Sequence, residues 1–538
     1  MHDSTVGQAA PARVGRREWL GLVVLALPTL LMAMDQSILY LALPRLSEGL
    51  HAGSTQSLWI LDIYGFMLAG FLVTMGTLGD RIGRRKLLMM GAAGFLVSTI
   101  LAAYSVSPTM LIVMRAVMGV SGATLMPSTL ALITNMFTDA KQRASAIAAW
   151  FSALMVGGAL GPIVGGILLD HFWWGSVFLI GVPVMALLLI AGPILLPEYR
   201  APKAGRVDLV SVVLSLLTIL PVIYGIKELA ADNGTAGVSA AAIVVGIAFG
   251  VAFVLRQRRL ADPLVDLKLF RSNQFRVALL VLMASSVTIG GMYLFVSLYL
   301  QAVKGQSPLV AGLWLVPSTL AIVVSSSLTP ALAQKVRPAF LITGGMLITA
   351  LGYFILTFVS STSGLALLVI GFVIAFFGGG PMGALGPNMV ISTAPPERAG
   401  AAASMSETSN QLGIALGIAV MGSIGNAVYR GHIAHLLPGV GTAAKASITG
   451  AVNTAAGLPA EAGQRLLTAA RVAFSTGLNT VAVVGAVGFV LLAVLVAVAL
   501  RKVQPAGEGG APAEAGDAVP AAAQAELAPA EVVTGSHD

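Results

Sequence analysis

Four ionisable residues interrupt the apolar runs of this 538-residue chain: Asp35, Asp62, Arg115 and Glu407. A charge at the centre of a membrane-spanning helix costs at least about 2.5 kcal/mol, so such a residue faces a partner or a cavity rather than lipid. An arginine among carboxylates can pin helices together as a buried ion pair. A carboxylate left over can exchange a proton or hold an organic cation, and one arginine cannot neutralise both aspartates. Trp59 and Phe66 share the helical face of Asp62, three residues before and four after it, which offers an acid and two aromatic faces to a cation; ordinary packing of the rings is the alternative. Glu407 has no base on its helix. Its face carries Ala403 and Ser404 before it and Asn410 and Gln411 after it, a polar stripe that belongs on a central cavity. An unpaired acid there is a site for a proton or a cationic substrate, the alternative being a satisfied structural glutamate.

The elements that carry these residues are membrane helices. The chain is 57% hydrophobic and 10% charged, against about 25% charged in soluble domains, and its mean hydropathy is +0.89. Apolar runs of about 20 residues or more, without the alternation of barrel strands, predict an all-α integral membrane protein. Fourteen spans are expected near 19–41, 57–78, 87–106, 109–135, 144–169, 174–196, 207–228, 238–256, 277–300, 308–333, 339–359, 365–391, 399–427 and 477–500. The first is too long for a signal peptide and has no small-residue cleavage site behind it, so it is read as a span that stays.

Charge asymmetry orients the map. With the amino terminus inside, only Arg45, Lys227, Lys304, Arg430, Lys445, Arg465 and Arg471 fall in external loops; apart from Arg115, the rest of the 31 Lys and Arg are cytoplasmic. Both termini are therefore expected in the cytoplasm, and the net charge of +8 reflects topology rather than nucleic-acid binding. At 1.5 Å per residue, Asp35 lies about 24 Å from the cytoplasmic end of helix 1, Asp62 about 8 Å and Arg115 about 9 Å from the outer ends of helices 2 and 4, and Glu407 about 13 Å deep in helix 13.

Enzyme chemistry finds no support. The six histidines lie in tails or loops, there is no cysteine, and neither a phosphate-binding loop nor a nucleophile elbow occurs. His432 and His435 lack acidic or cysteine neighbours and read as surface, so no metal and no cofactor are expected.

The stretch TLGDRIGRRK (77–86) gathers five charges between helices 2 and 3. As a topology anchor its bases suffice. Its spacing adds more: Gly76, Gly79 and Gly83 allow close approach of a neighbour, while Asp80, with Arg81 and Arg84 beside it, can pair with an arginine or cap a helix, a latch for one closed arrangement of the cytoplasmic side. The longer GTLGDRIGRRK closely resembles motif A of the major facilitator superfamily. Three further stretches agree: MDQSILYLALP (34–44) resembles the first-helix motif of its fourteen-helix drug:proton antiporters, LIVMRAVMGVSGA (111–123) the helix 4 motif, with Met118 where glutamine is usual, and GGALGPIVGG (157–166) the antiporter motif of helix 5. The resemblance spans residues 19 to about 500. It implies an antiporter role for Gly157, Gly161, Pro162, Gly165 and Gly166, which by themselves indicate only close helix packing.

An internal repeat supports the same architecture. Gly157 and Gly161 align with Gly413 and Gly417 of LGIALGIAVMG (412–422), and Arg143 aligns approximately with Arg398. Two six-helix bundles, helices 1–6 and 9–14, are expected with helices 7 and 8 inserted between them. The corresponding domains are a cytoplasmic segment 1–18, an N-terminal bundle 19–200, a linker with the inserted helices 201–276, a C-terminal bundle 277–502 and a disordered tail 503–538. The second bundle contains a long external loop, 428–476, in which AEAGQRLLTAARVAF has helical periodicity. The second copy of the charged loop, ALAQKVRP (331–338), has no acid, which makes the latch one-sided.

The resemblance and the intramembrane acids together predict a proton-coupled multidrug exporter in a bacterial inner membrane. It would act as a monomer in the lipid bilayer, with protons and lipophilic cations such as quaternary ammonium compounds and dyes as its partners. Export of a neutral or anionic antibiotic or lipid is the alternative, with a non-transporting sensor further off.

Overall fold

A computed structural model describes residues 15–137, 139–200, 208–231, 236–260, 263, 265, 267–392 and 399–499. Within them are fourteen helices long and apolar enough to cross a membrane, as expected from the apolar runs. The tail from 503, residues 1–14 and Arg398 lie outside the described residues.

Several helix starts follow from local chemistry. Ser107 and Ser307 each accept a backbone N–H three residues on and are each followed by proline, the N-cap and N1 preferences of an α-helix. Asp139 and Ser272 cap in the same way.

The first bundle comprises α1 (Arg16–Gly49), α2 (Ser54–Ile82), α3 (Arg84–Ala103), α4 (Pro108–Met136), α5 (Ala140–His171) and a sixth span made of α6 (Ser176–Leu179) and α7 (Gly181–Leu195). The inserted pair is α8 (Leu209–Ala231) and α9 (Ala236–Arg259). The second bundle follows: α10 (Asn273–Leu298), α11 (Pro308–Ala333), α12 (Pro338–Leu356), α13 (Leu365–Ser392) and α14 (Ala399–Leu436), then the short α15 (Thr442–Ala446) and α16 (Ile448–Ala456), and finally α17 (Ala460–Ala499). Residues 428–476 are therefore not an extended loop. α14 runs on to Leu436, and the periodic segment noted in the sequence is the first part of a 40-residue helix.

The repeat is visible as matched packing. α5 lies against α1, where a side chain at Gly157 would run into the carbonyl of Leu30; α14 lies against α10, where one at the aligned Gly413 would run into the carbonyl of Met283. Only glycine admits such backbone approach. The inserted pair sits outside the twelve-helix core, α8 touching both α2 of the first bundle and α14 of the second.

Cross-bundle contacts concentrate away from the face where α1 begins. Gly166 of α5 abuts Leu309 of α11, and Gly312 of α11 abuts Pro162. Asp170, at the end of α5, accepts a hydrogen bond from Ser307 at 2.9 Å, and Ser297 of α10 donates to the carbonyl of Tyr40 at 3.0 Å.

Candidate functional site

Two buried ion pairs hold the two intramembrane aspartates of the first bundle. Arg115 of α4 reaches Asp35 of α1 at 2.5 Å, with its guanidinium 4.5 Å from the Tyr64 ring centroid. Its Nε donates to the carbonyl of Ile60 at 3.4 Å. Arg115 is 1% exposed and Asp35 10%, so this bridge is held by packing and added hydrogen bonds rather than by water.

Asp62 does not share Arg115. Its partner is Lys227 of α8, 2.7 Å away, and both side chains are 0% exposed. The apolar run ends near 228, which by sequence puts Lys227 in an external loop; α8 instead continues to Ala231, and the lysine is buried against Asp62. The four-carbon stem carries the ammonium to 4.0 Å from the Trp59 ring centroid, where an aromatic face and a carboxylate together offset its desolvation. The carboxylate–aromatic setting read around Asp62 is thus filled by the chain's own cation. Phe66 is fully buried against Ile223 of α8 and Ala415 and Ala419 of α14, so it seats the inserted helix instead of facing a cavity.

Glu407 lies on a different surface. A cavity of about 320 Å³ at mid-depth is lined by both bundles, with Gln36, Tyr40, Tyr293, Phe376, Glu407 and Asn410 among its walls. No lysine, arginine or histidine lines it. Glu407 accepts a hydrogen bond from Gln411 at 2.9 Å, and Gln411 accepts one from Gln36 at 3.3 Å, a chain that crosses from α14 to α1. Asn410 accepts from Ser286 of α10 at 2.8 Å. A second, much smaller void of about 20 Å³ lies behind Gln36 and Gln411 and is bounded by Asp62, Tyr64 and Arg115. It has room for roughly one water.

The charged turn stays within its own bundle. Gly83 has φ +113°, and a side chain there would meet Glu198 beyond α7. The backbone N–H of Arg84 donates to the carbonyl of Tyr199, and Arg85 pairs with Glu198 at 3.6 Å. Asp80 pairs with Arg84 at 2.6 Å, Gly79 is buried beside them, Gly76 faces Pro127 of α4, and Arg81 is exposed. In helix 5, Gly157, Gly161 and Gly165 pack on α1, while Pro162 and Gly166 face α11 of the other bundle. Among the described residues no group of three or more His, Cys, Asp or Glu is arranged to hold a metal.

Comparisons with known proteins identify the family. The family model of the Major Facilitator Superfamily matches residues 25–418. The chain is 42% identical to the multidrug efflux pump LfrA of Mycolicibacterium smegmatis, over 93% of this chain and 100% of that protein. It is 33% identical to the tetracenomycin C resistance and export protein of Streptomyces glaucescens, covering 94% and 96%, and 33% identical to the methyl viologen resistance protein SmvA of Salmonella typhimurium, covering 85% and 93%. Among solved structures, a bacterial homologue of the human lysosomal transporter Spinster in an inward-facing, unoccupied conformation shares the fold at a TM-score of 0.63 and 19% identity, covering 90% of this chain and 98% of that one. The chain therefore belongs to the Major Facilitator Superfamily and is a membrane transporter.

Proposed function

We propose that the chain is a proton-coupled exporter of lipophilic organic cations that works by alternating access between its two bundles. The observation that carries this reading is Glu407: a carboxylate in a mid-depth cavity whose walls bear aromatic rings and amides and no basic side chain. A lone acid in a low-dielectric cavity attracts a delocalised cation when ionised and releases it when protonated, so one group serves both protons and cargo. The names of the relatives support drug export in general. They include a multidrug pump, an antibiotic exporter and a resistance protein for methyl viologen, a bis-quaternary compound.

In this reading the face where α1 begins is cytoplasmic, as the Lys and Arg distribution requires, and the membrane is a bacterial inner membrane. Contacts between α5 and α11 then close the outer side, and the cargo cavity is the one reached from within. Asp80, paired inside its own bundle, is the latch in its released state. Asp35–Arg115 and Asp62–Lys227 supply the exchangeable proton or hold the helices that transmit its movement.

Transport in proteoliposomes tests the reading. A pH gradient should drive uphill export of ethidium by the wild type, and Glu407→Gln should abolish it. Uphill export by Glu407→Gln at the wild-type rate would overturn the assignment, and uphill export of a neutral antibiotic with none of ethidium would favour neutral cargo.

A further inference from the structure

We propose that Lys227 is a tethered cation that holds Asp62 in the manner of cargo, so that the inserted helix α8 limits the transporter to cargo with one positive charge. The inference rests on the cavity reading above. It starts from a mismatch of roles. Asp62 and Trp59 present what an organic cation needs, a carboxylate beside an aromatic face, and the ammonium of Lys227 occupies both, 2.7 Å from Asp62 and 4.0 Å from the Trp59 ring. The cation comes from outside the twelve-helix core, on a helix that touches α2 and α14 at once.

Location ties this site to the cargo cavity. The small void beside Asp62 and the cavity beside Glu407 share Gln36, Tyr40, Gln411 and Ile414 as walls. Two of these shared walls, Gln36 and Gln411, are joined by a hydrogen bond of 3.3 Å, a weak contact. On its other side Lys227 borders a further small void with Ser54, Asn426 and Arg430. Ser54 and Asn426 also line a vestibule of about 310 Å³ between the bundles and the segment that carries α15 and α16. The Asp62–Lys227 pair thus lies between the small void that shares walls with the cargo cavity and a second small void that shares walls with the vestibule, and a second positive charge on a cargo would meet there an acid already neutralised and a like charge beside it. A monocation read by Glu407 meets no such conflict.

The test is the ratio of dication to monocation affinity, measured by direct binding of methyl viologen and ethidium to purified protein at mildly alkaline pH. Lys227→Met should raise that ratio about tenfold by freeing the Asp62 carboxylate beside Trp59 to pair with the second charge of the cargo. The gain should vanish in the double variant Asp62→Asn/Lys227→Met, which buries no charge. If Lys227→Met alone does not fold, Lys227→Gln, whose amide can still donate to Asp62, should show the same gain. An unchanged ratio in whichever single variant folds, or a gain that persists without the Asp62 carboxylate, would overturn the proposal. Its failure is separable from failure of the cavity reading, because loss of ethidium binding in Glu407→Gln reports on the cavity alone.

Discussion

The two bundles share a scaffold and differ in chemistry. In each, a glycine of the fifth helix rests on a carbonyl of the first, Gly157 on Leu30 and Gly413 on Met283. Yet the first bundle buries Asp35, Arg115 and Asp62 with their partners locked, whereas the second presents one carboxylate, Glu407, to an open cavity and otherwise lines it with hydroxyl, amide and aromatic groups. Close packing needs only small residues at fixed spacing, so a repeat preserves it readily. Charge placement answers to function, and there the halves have diverged. The division suggests that the first bundle holds its acids for structure and proton movement while the second offers its acid to cargo.

The largest expected effect lies in the first bundle. Arg115→Leu leaves Asp35 buried without its cation and should cost about 3–5 kcal/mol. The neutral pair Asp35→Asn/Arg115→Gln should recover most of that stability while leaving pH-driven export impaired. Thermal unfolding of purified protein checks the first statement and proteoliposome transport the second. Wild-type stability in Arg115→Leu would erase the contrast between a locked and an open set of charges.

A smaller, symmetric effect is expected from the shared scaffold. Gly157→Ala and Gly413→Ala each push a methyl group onto backbone and should each cost about 1–3 kcal/mol. Matched losses in unfolding temperature sharpen the comparison, and a large loss in one bundle with none in the other would break it. Smallest for stability is Asp80→Asn. Removing an i,i+4 partner of Arg84 should change stability by less than about 0.5 kcal/mol, yet slow turnover about fivefold if Asp80 latches the closed cytoplasmic side. Unchanged turnover in folded Asp80→Asn would leave the turn as an anchor only.

Much of this was readable from the chain. Fourteen apolar runs become fourteen long helices because length and hydropathy are what a bilayer selects. Arg115 could be matched by depth with the two aspartates of helices 1 and 2, though not with Asp35 in particular. Lys227 could not, since a lysine at the last turn of an apolar run reads as an interfacial base; whether its stem turns toward water or toward Asp62 is settled by how α8 docks on α2. The same docking makes Phe66 a packing residue. The signal available was the imbalance itself, two aspartates for one arginine, which called for another base near Asp62. Residues 437–459 resisted for another reason: short helices such as Ile448–Ala456 are fixed by what they pack on rather than by their own composition.

Cargo binding by Glu407 is tested by titrating ethidium binding to purified wild type and Glu407→Gln across a series of pH values. Ionised Glu407 attracts the cation and protonated Glu407 does not, so wild-type affinity should weaken as pH falls through the titration of this group. Glu407→Gln should bind weakly at every pH, with a flat profile. Identical affinities and identical pH dependence in the two proteins would contradict the account.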